Sequence, residues 1–186
     1  MSRVLKNIDM TLDDDSIEKA IREVNSFREQ LQDALDGLCE RLLDEGVEVA
    51  RMQIMAMPAV DTGALMASIG HGAFDRTSGT GIIYAGAYYA MFVEFGTGIV
   101  GKANPHPMAG QTDSAVLGAN GSVYDRYDTN KHGAKGWLYR KVGETKRSWT
   151  QGMPARPFMY NTGITLADYA RQHGGEIIAQ YIRGGG

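Results

Sequence analysis

Residues 16–57 read SIEKAIREVNSFREQLQDALDGLCERLLDEGVEVARMQIMAM, and their spacing decides the fold. Ile17, Ile21, Val24, Leu31, Leu35, Leu38, Leu42 and Val49 follow one another at steps that are mostly three, four or seven. That spacing draws one apolar stripe along a helix, with Arg28 the one charged residue in the series. Asp15 stands as N-cap with Glu18 three residues on, the acidic half of a capping box. A helix is predicted from about 16 to 57, with a break or bend at Gly37 or Gly46, because a glycine inside a helix costs about 1 kcal/mol relative to alanine. A straight helix of ~40 residues would reach ~60 Å, longer than a small domain is wide. Part of it is expected to project or to pack on a neighbouring chain. The plainer alternative is a helix that folds back at a glycine.

Pro58 ends this helix, since proline disfavours helical backbone in the residue before it. Asp61 then reads as the cap of a short helix from Thr62, with Leu65 and Ile69 on one face. Residues 68–74 and 81–87 read as strands joined by the loop 75–81, and 88–95 as two helical turns closed by Gly96. Residues 96–136 lack periodicity and carry many glycines, Pro105 and Pro107. Loops this long usually bind something or stay mobile. Residues 137–142 and 148–150 read as further strand. Pro154 and Pro157 hold a non-helical stretch, after which the chain turns helical from Phe158, with an interruption at Gly174–Gly175. The order implies an α+β fold: a long N-terminal helix, a small antiparallel sheet packed by a short helix and a C-terminal helix, and a long glycine-rich loop. The expected division is a helical arm, 1–57, and an α+β domain, 58–186, with its extended loop at about 99–152.

The chain has 186 residues and a formal net charge of −3, which argues against a wholly basic nucleic-acid binder. Charge is uneven. Residues 1–57 hold 13 acids and 7 bases, a net of −6, and the remainder holds 9 acids and 12 bases, a net of +3. Such a division can guide contacts between subunits, or be a solvated acidic helix face. The single cysteine, Cys39, allows no internal disulfide and reads as a small core residue within a helix. No secretory signal and no apolar run long enough to span a membrane are expected.

Catalytic patterns are not found. His71, His106, His132 and His173 show no metal-ligand spacing, and no cofactor is expected. Neither Gly79-Thr80-Gly81 nor Gly96-Thr97-Gly98 has a phosphate-cradling frame. A hydrolase reading would need His71, His106 or His132 to meet a carboxylate in space. Between 126 and 147 lie seven bases with Tyr127, Trp137 and Tyr139 among them. A nucleic-acid-binding module would use Tyr127, Lys131, Lys135, Trp137 and Arg140. An exposed hairpin with its lysine stems laid over apolar surface gives the same pattern, as does a loop that docks on the acidic part of an adjacent copy. Glu94 lies within an apolar and aromatic run, where a buried carboxylate needs a partner, and Arg156 is the expected one.

Three segments, in order, resemble one family. They are Pro58-Ala59-Val60-Asp61-Thr62-Gly63-Ala64-Leu65 with Ser68-Ile69; Tyr89-Ala90-Met91-Phe92-Val93-Glu94-Phe95-Gly96-Thr97; and Met153-Pro154-Ala155-Arg156-Pro157-Phe158-Met159. Together they are similar to the gene-product-ten-like siphophage neck proteins, also called tail-completion or head–tail joining proteins. The resemblance covers about residues 58–182; the long helix matches in type alone, and 99–152 is longer than the family's usual connection. It implies a non-enzymatic minor tail protein of the virion, assembled in the host cytoplasm. Such a subunit forms a ring, sixfold or alternatively twelvefold, around a channel through which genome DNA passes without specific binding. It would touch the tail terminator and head-closure proteins. Asp61, Thr62, Gly63, Leu65, Glu94, Phe95, Gly96, Thr97, Pro154, Arg156, Pro157 and Phe158 would then be scaffold. Ile17, Ile21, Val24, Leu31, Leu35, Trp137 and Tyr139 would be interface.

Overall fold

The computed structural model describes residues 11, 13–57, 63–108, 135–140 and 143–184. Helix α1 (Asp14–Ala56) runs for 43 residues, about 65 Å at the α-helical rise. Its cap is Asp13, not Asp15. One Asp13 oxygen accepts the Ser16 amide hydrogen at 2.9 Å and the other accepts the Thr11 hydroxyl. These bonds, that from Thr11 foremost, hold the Asp13 carboxyl below its ordinary value. Asp15 lies inside the first turn instead, where its charge favours the positive end of the helix.

Among the described residues ten elements follow one another. After α1 come α2 (Ala64–Ala67), β1 (Ile69–His71), β2 (Ile83–Ala85), α3 (Ala90–Phe95) and α4 (Gly98–Ala103). The chain continues with β3 (Trp137–Tyr139), β4 (Ser148–Thr150), β5 (Gly152–Met153) and α5 (Phe158–Gly184). Among the described residues the fold is α+β and mostly helical, with two small sheets rather than one. β1 and β2 pair antiparallel, flanked by bonds from the Gly86 amide to Ser68 O and from the Gly72 amide to Ile82 O, both 2.9 Å. β3 and β4 pair antiparallel with Trp137 opposite Thr150, Leu138 opposite Trp149 and Tyr139 opposite Ser148. Helix α4 falls where the sequence shows no periodicity; six residues with two glycines are too few to show one.

The chain gathers into two compact units. The first holds residues 1–46, 71–83 and 165–186, and the second holds 47–70 and 84–164.

In the first unit, α1 and α5 lie antiparallel. A methyl group at Gly37 would stand 2.5 Å from the Tyr181 ring, and one at Gly174 would stand 3.6 Å from Leu38. At Gly46 it would overlap the end of Ile83 and stand 2.9 Å from Leu166. Both α1 glycines, expected to break the helix, are instead places where another element lies too close for a side chain. Likewise α5 runs unbroken through Gly174–Gly175. Tyr181, near the end of α5, is already level with Gly37, so the first turns of α1 run on past α5. The loop between β1 and β2 is held by Asp75, which accepts from the Thr77 amide (2.9 Å) and the Ser78 hydroxyl (2.7 Å). The Ser78 bond is the larger cause of a lowered Asp75 pKa.

In the second unit the core is Val49, Ala50, Ile54, Leu65, Ile69, Ala90, Val93 and Phe158. Each large apolar side chain buried there contributes about 1.5–3 kcal/mol. Thr162 is buried too, its hydroxyl donating to Phe158 O at 2.7 Å.

The contact at Gly46 sets two opposed expectations. Gly46→Ala gains about 1 kcal/mol of helix propensity but must push Ile83 and Leu166 aside, for a net loss of about 1–2 kcal/mol. Gly163, inside α5 with nothing within 4 Å, gains without the clash. Gly163→Ala is expected to stabilise by about 0.5–1 kcal/mol. Thermal unfolding of the two variants checks this; equal shifts in Tm would remove the close-approach account of Gly46.

Candidate functional site

Two of the three sequence motifs meet within the second unit. The strand β5 passes alongside Thr97 and Gly98, with Thr97 bridged to Met153 and Gly98 to Gly152. The Met153 amide donates to Thr97 Oγ1 at 3.1 Å, and the Arg156 amide donates to Val93 O at 2.9 Å. Gly96 closes α3 at φ +75, and a methyl group there would lie 2.6 Å from Ala155 N and 2.9 Å from Met153 O. A residue with a side chain can neither adopt that backbone easily nor admit so close a neighbour. Thus Glu94-Phe95-Gly96-Thr97 and Met153-Pro154-Ala155-Arg156-Pro157-Phe158 form one junction.

Glu94 is its centre. The carboxylate is buried. Its Oε2 accepts the Met159 amide hydrogen at 2.9 Å and its Oε1 accepts that of Tyr160 at 3.0 Å. Those two amides belong to the first turn of α5, where free N–H groups and the helix dipole favour an anion. Pro157, just ahead of the helix, has no polar side chain to cap it. Glu94 supplies that cap from α3. The expected ion pair with Arg156 is not made. Glu94 takes His106 instead, whose Nε2 lies 3.0 Å from Oε1, while the Arg156 guanidinium faces Met153 Sδ at 3.8 Å. The reason is geometric: the Arg156 backbone is bonded to Val93, and the carboxylate is already turned to the helix end.

His106 is also buried, between the rings of Phe95 and Tyr160 at 4.6 and 5.3 Å. Its Nδ1 accepts the Met108 amide hydrogen at 3.0 Å. That bond leaves the proton on Nε2, which donates to Glu94. Both ring nitrogens are therefore spent on structure. Nothing in the sequence near His106 marks this role, since its partner is twelve residues away across a helix.

The other candidates fall as follows. Asp61 and Thr62, and with them the predicted cap of α2, lie outside the described residues, as do Tyr127, Lys131 and His132. Gly63 has φ +77 ahead of α2, and Leu65 is buried. His71 belongs to the first unit, exposed, with Nε2 3.1 Å from Asp44. Among the described residues no three His, Cys, Asp or Glu side chains gather as a metal site, and no helix is long and apolar enough to cross a membrane. Cys39 lines an open cavity of about 300 Å³ with Leu42, Leu43, Phe74 and Leu166. Burial, and then the charge of Asp36, push its thiol pKa up, which disfavours the reactive thiolate. Asp36 itself is buried; Gln32 donates to it at 2.9 Å, and Arg76 Nε lies 3.1 Å from its second oxygen. That guanidinium is near enough to attract but is not aligned as a hydrogen bond.

Both surfaces that carry the predicted interface residues are open. On α1, Ile21 and Val24 are 54% and 53% exposed, Leu35 is exposed, and Ile17 and Leu31 are half-buried. On the hairpin of β3 and β4, the facing pair Leu138 and Trp149 are 56% and 59% exposed. Tyr139, Lys135 and Arg140 are exposed as well, and Trp137 is half-buried.

Residues 14–96 match the family model described as Bacteriophage HK97-gp10, putative tail-component. Over that span the chain is similar to this phage tail family, as the quoted motifs imply. The match takes in α1, which resembles the family more closely than its type alone suggests, and ends at Gly96, short of the third motif. No curated protein and no solved structure matches the chain.

Proposed function

We propose, with the match to a phage tail component as premise, that this chain is a neck or tail-completion subunit that helps join tail to head. The observation that carries the reading is the open apolar stripe of α1 on a segment that runs past α5. An exposed apolar row of this kind marks a surface that meets another molecule. In a tail protein the cover comes from other virion components or from further copies. The junction at Glu94 supports the same reading. Its buried titratable groups hold backbone to backbone, and their polar atoms are engaged. The role is a structural one. Ring subunits require unlike surfaces that meet head to tail, and this chain has an acidic front and a basic remainder. A ring around the DNA channel, sixfold by preference, touching the tail terminator and head-closure proteins, belongs to the same proposal.

Electron microscopy of particles assembled without the chain tests it. Filled heads beside separate tails are expected. Intact, infectious particles would end the proposal.

A further inference from the structure

We infer that the hairpin of β3 and β4 on one copy docks on the outward stripe of α1 on a second copy, a head-to-tail contact between unlike surfaces. The inference deepens the ring-subunit reading and rests on it for its purpose, though not for its evidence.

The hairpin is a two-stranded ribbon, a form that is marginally stable alone and has unpaired edges. Leu138 and Trp149 face each other across it, so both side chains lie on one face. Both are more than half exposed. A Trp–Leu pair in water, ringed by polar groups, is the composition of an interface anchor. The ring here is basic. Among the described residues of 135–150, Lys135, Arg140, Lys146 and Arg147 are exposed, against Glu144 alone.

The stripe on α1 has the opposite character. Ile17, Ile21, Val24, Leu31 and Leu35 are the apolar row, and Ile21, Val24 and Leu35 are exposed. The same segment, 14–35, holds six acids against three bases. Of the acids, Glu18 and Asp33 are engaged with Arg22 and Arg76. Asp14, Asp15, Glu23 and Glu29 are exposed or half-buried along the same turns. Each surface thus offers what the other lacks: an apolar patch with a basic rim against an apolar row with an acidic rim. Arg28, the one charge in the row, fits as well, since a guanidinium stacks on an indole face such as that of Trp149. Two unlike surfaces on one chain give an interface that repeats, and one that closes if the rotation permits.

Single-stranded DNA is the competing occupant, because bases stack on exposed aromatics amid positive charge. The aliphatic Leu138 opposite the single Trp149 is a poorer stacking platform than a second aromatic would be, and DNA leaves the α1 row uncovered.

The test uses the full chain and two surface variants. L138E/W149E disables the hairpin, and I21E/V24E disables the stripe. Sedimentation velocity should show concentration-dependent association of the unmodified chain, weakened by salt. Each variant alone should associate at least about tenfold more weakly, as expected when interface anchors are lost, with an unchanged far-ultraviolet circular dichroism spectrum. An equimolar mixture of the two should form a one-to-one pair and nothing larger, since it holds one intact hairpin and one intact stripe. The milder R147E variant should weaken association without touching an apolar residue, which guards against a folding artefact. Association that survives in either variant alone would mean a like-with-like contact and overturn the inference. So would a chain that stays monomeric into the millimolar range, or retention on single-stranded DNA lost in L138E/W149E without self-association. None of these results alters the particle phenotype, which decides the joining role separately.

Discussion

Glu94→Ala is expected to lower folding stability by about 3–5 kcal/mol, the range for removing one member of a buried, fully bonded polar group. Three donors converge on this carboxylate: the amides of Met159 and Tyr160 and His106 Nε2. Alanine leaves all three without an acceptor in a place water does not reach. The loss of a helix cap alone costs about 1 kcal/mol, so a deficit of that size would mean that His106 finds another partner. Glu94→Gln keeps one accepting oxygen but turns an amide NH2 towards a donor, so its cost should lie between those of wild type and alanine. Urea unfolding followed by circular dichroism reads the stability. Nitrogen-15 NMR of His106 gives an independent reading, because the Nε2–H tautomer is held partly by Glu94. A Glu94→Ala variant as stable as wild type, with the tautomer unchanged, would mean that the clasp does not hold the helix end.

Gly152→Ala is expected to cost about 4 kcal/mol or more, in the exceptional range reserved for backbone strain and steric overlap together. The residue sits at φ +103, and a methyl group there would overlap the Thr97 carbonyl oxygen and lie 3.0 Å from Gly98 Cα. Those atoms are backbone, and they are held by the bridges that join Thr97 to Met153 and Gly98 to Gly152. Relief would require parting the strand from α4. Gly143 is the fitting control. It also has a positive φ, +84, but nothing lies within 4 Å of its missing side chain. Gly143→Ala should cost ~1 kcal/mol, the left-handed backbone penalty alone. Chemical denaturation of the two variants side by side separates the contributions, and equal losses would refute the close passage of β5 beside Thr97.

Much of the architecture was legible in the residues because it depends on local rules. The apolar spacing of Ile17 to Val49 calls for a helix wherever it occurs, and α1 runs from Asp14 to Ala56. Pro154 and Pro157 forbid helix ahead of Phe158, and α5 begins there. Gly96 closes α3 because a left-handed end needs no side chain. The buried Glu94 was marked by its apolar neighbours. The likeness to a phage tail family, too, was readable from short motifs, and the family match over 14–96 agrees.

What the linear order could not decide is which distant groups meet. Arg156 was the natural partner for Glu94 by charge, yet His106 and two amides hold it, because a buried anion is satisfied by whichever donors the packed backbone aims at it. Gly37 and Gly46 look like breaks by propensity, which counts each residue alone, whereas Tyr181, Ile83 and Leu166 make them contacts. Asp13 rather than Asp15 caps α1 because the helix starts at Asp14, two residues ahead of the start that its apolar pattern marks. Sequence spacing thus determined the two long helices and the family resemblance; tertiary structure alone decided the partners, since donor–acceptor and steric fit act over a few ångströms in space, whatever the separation along the chain.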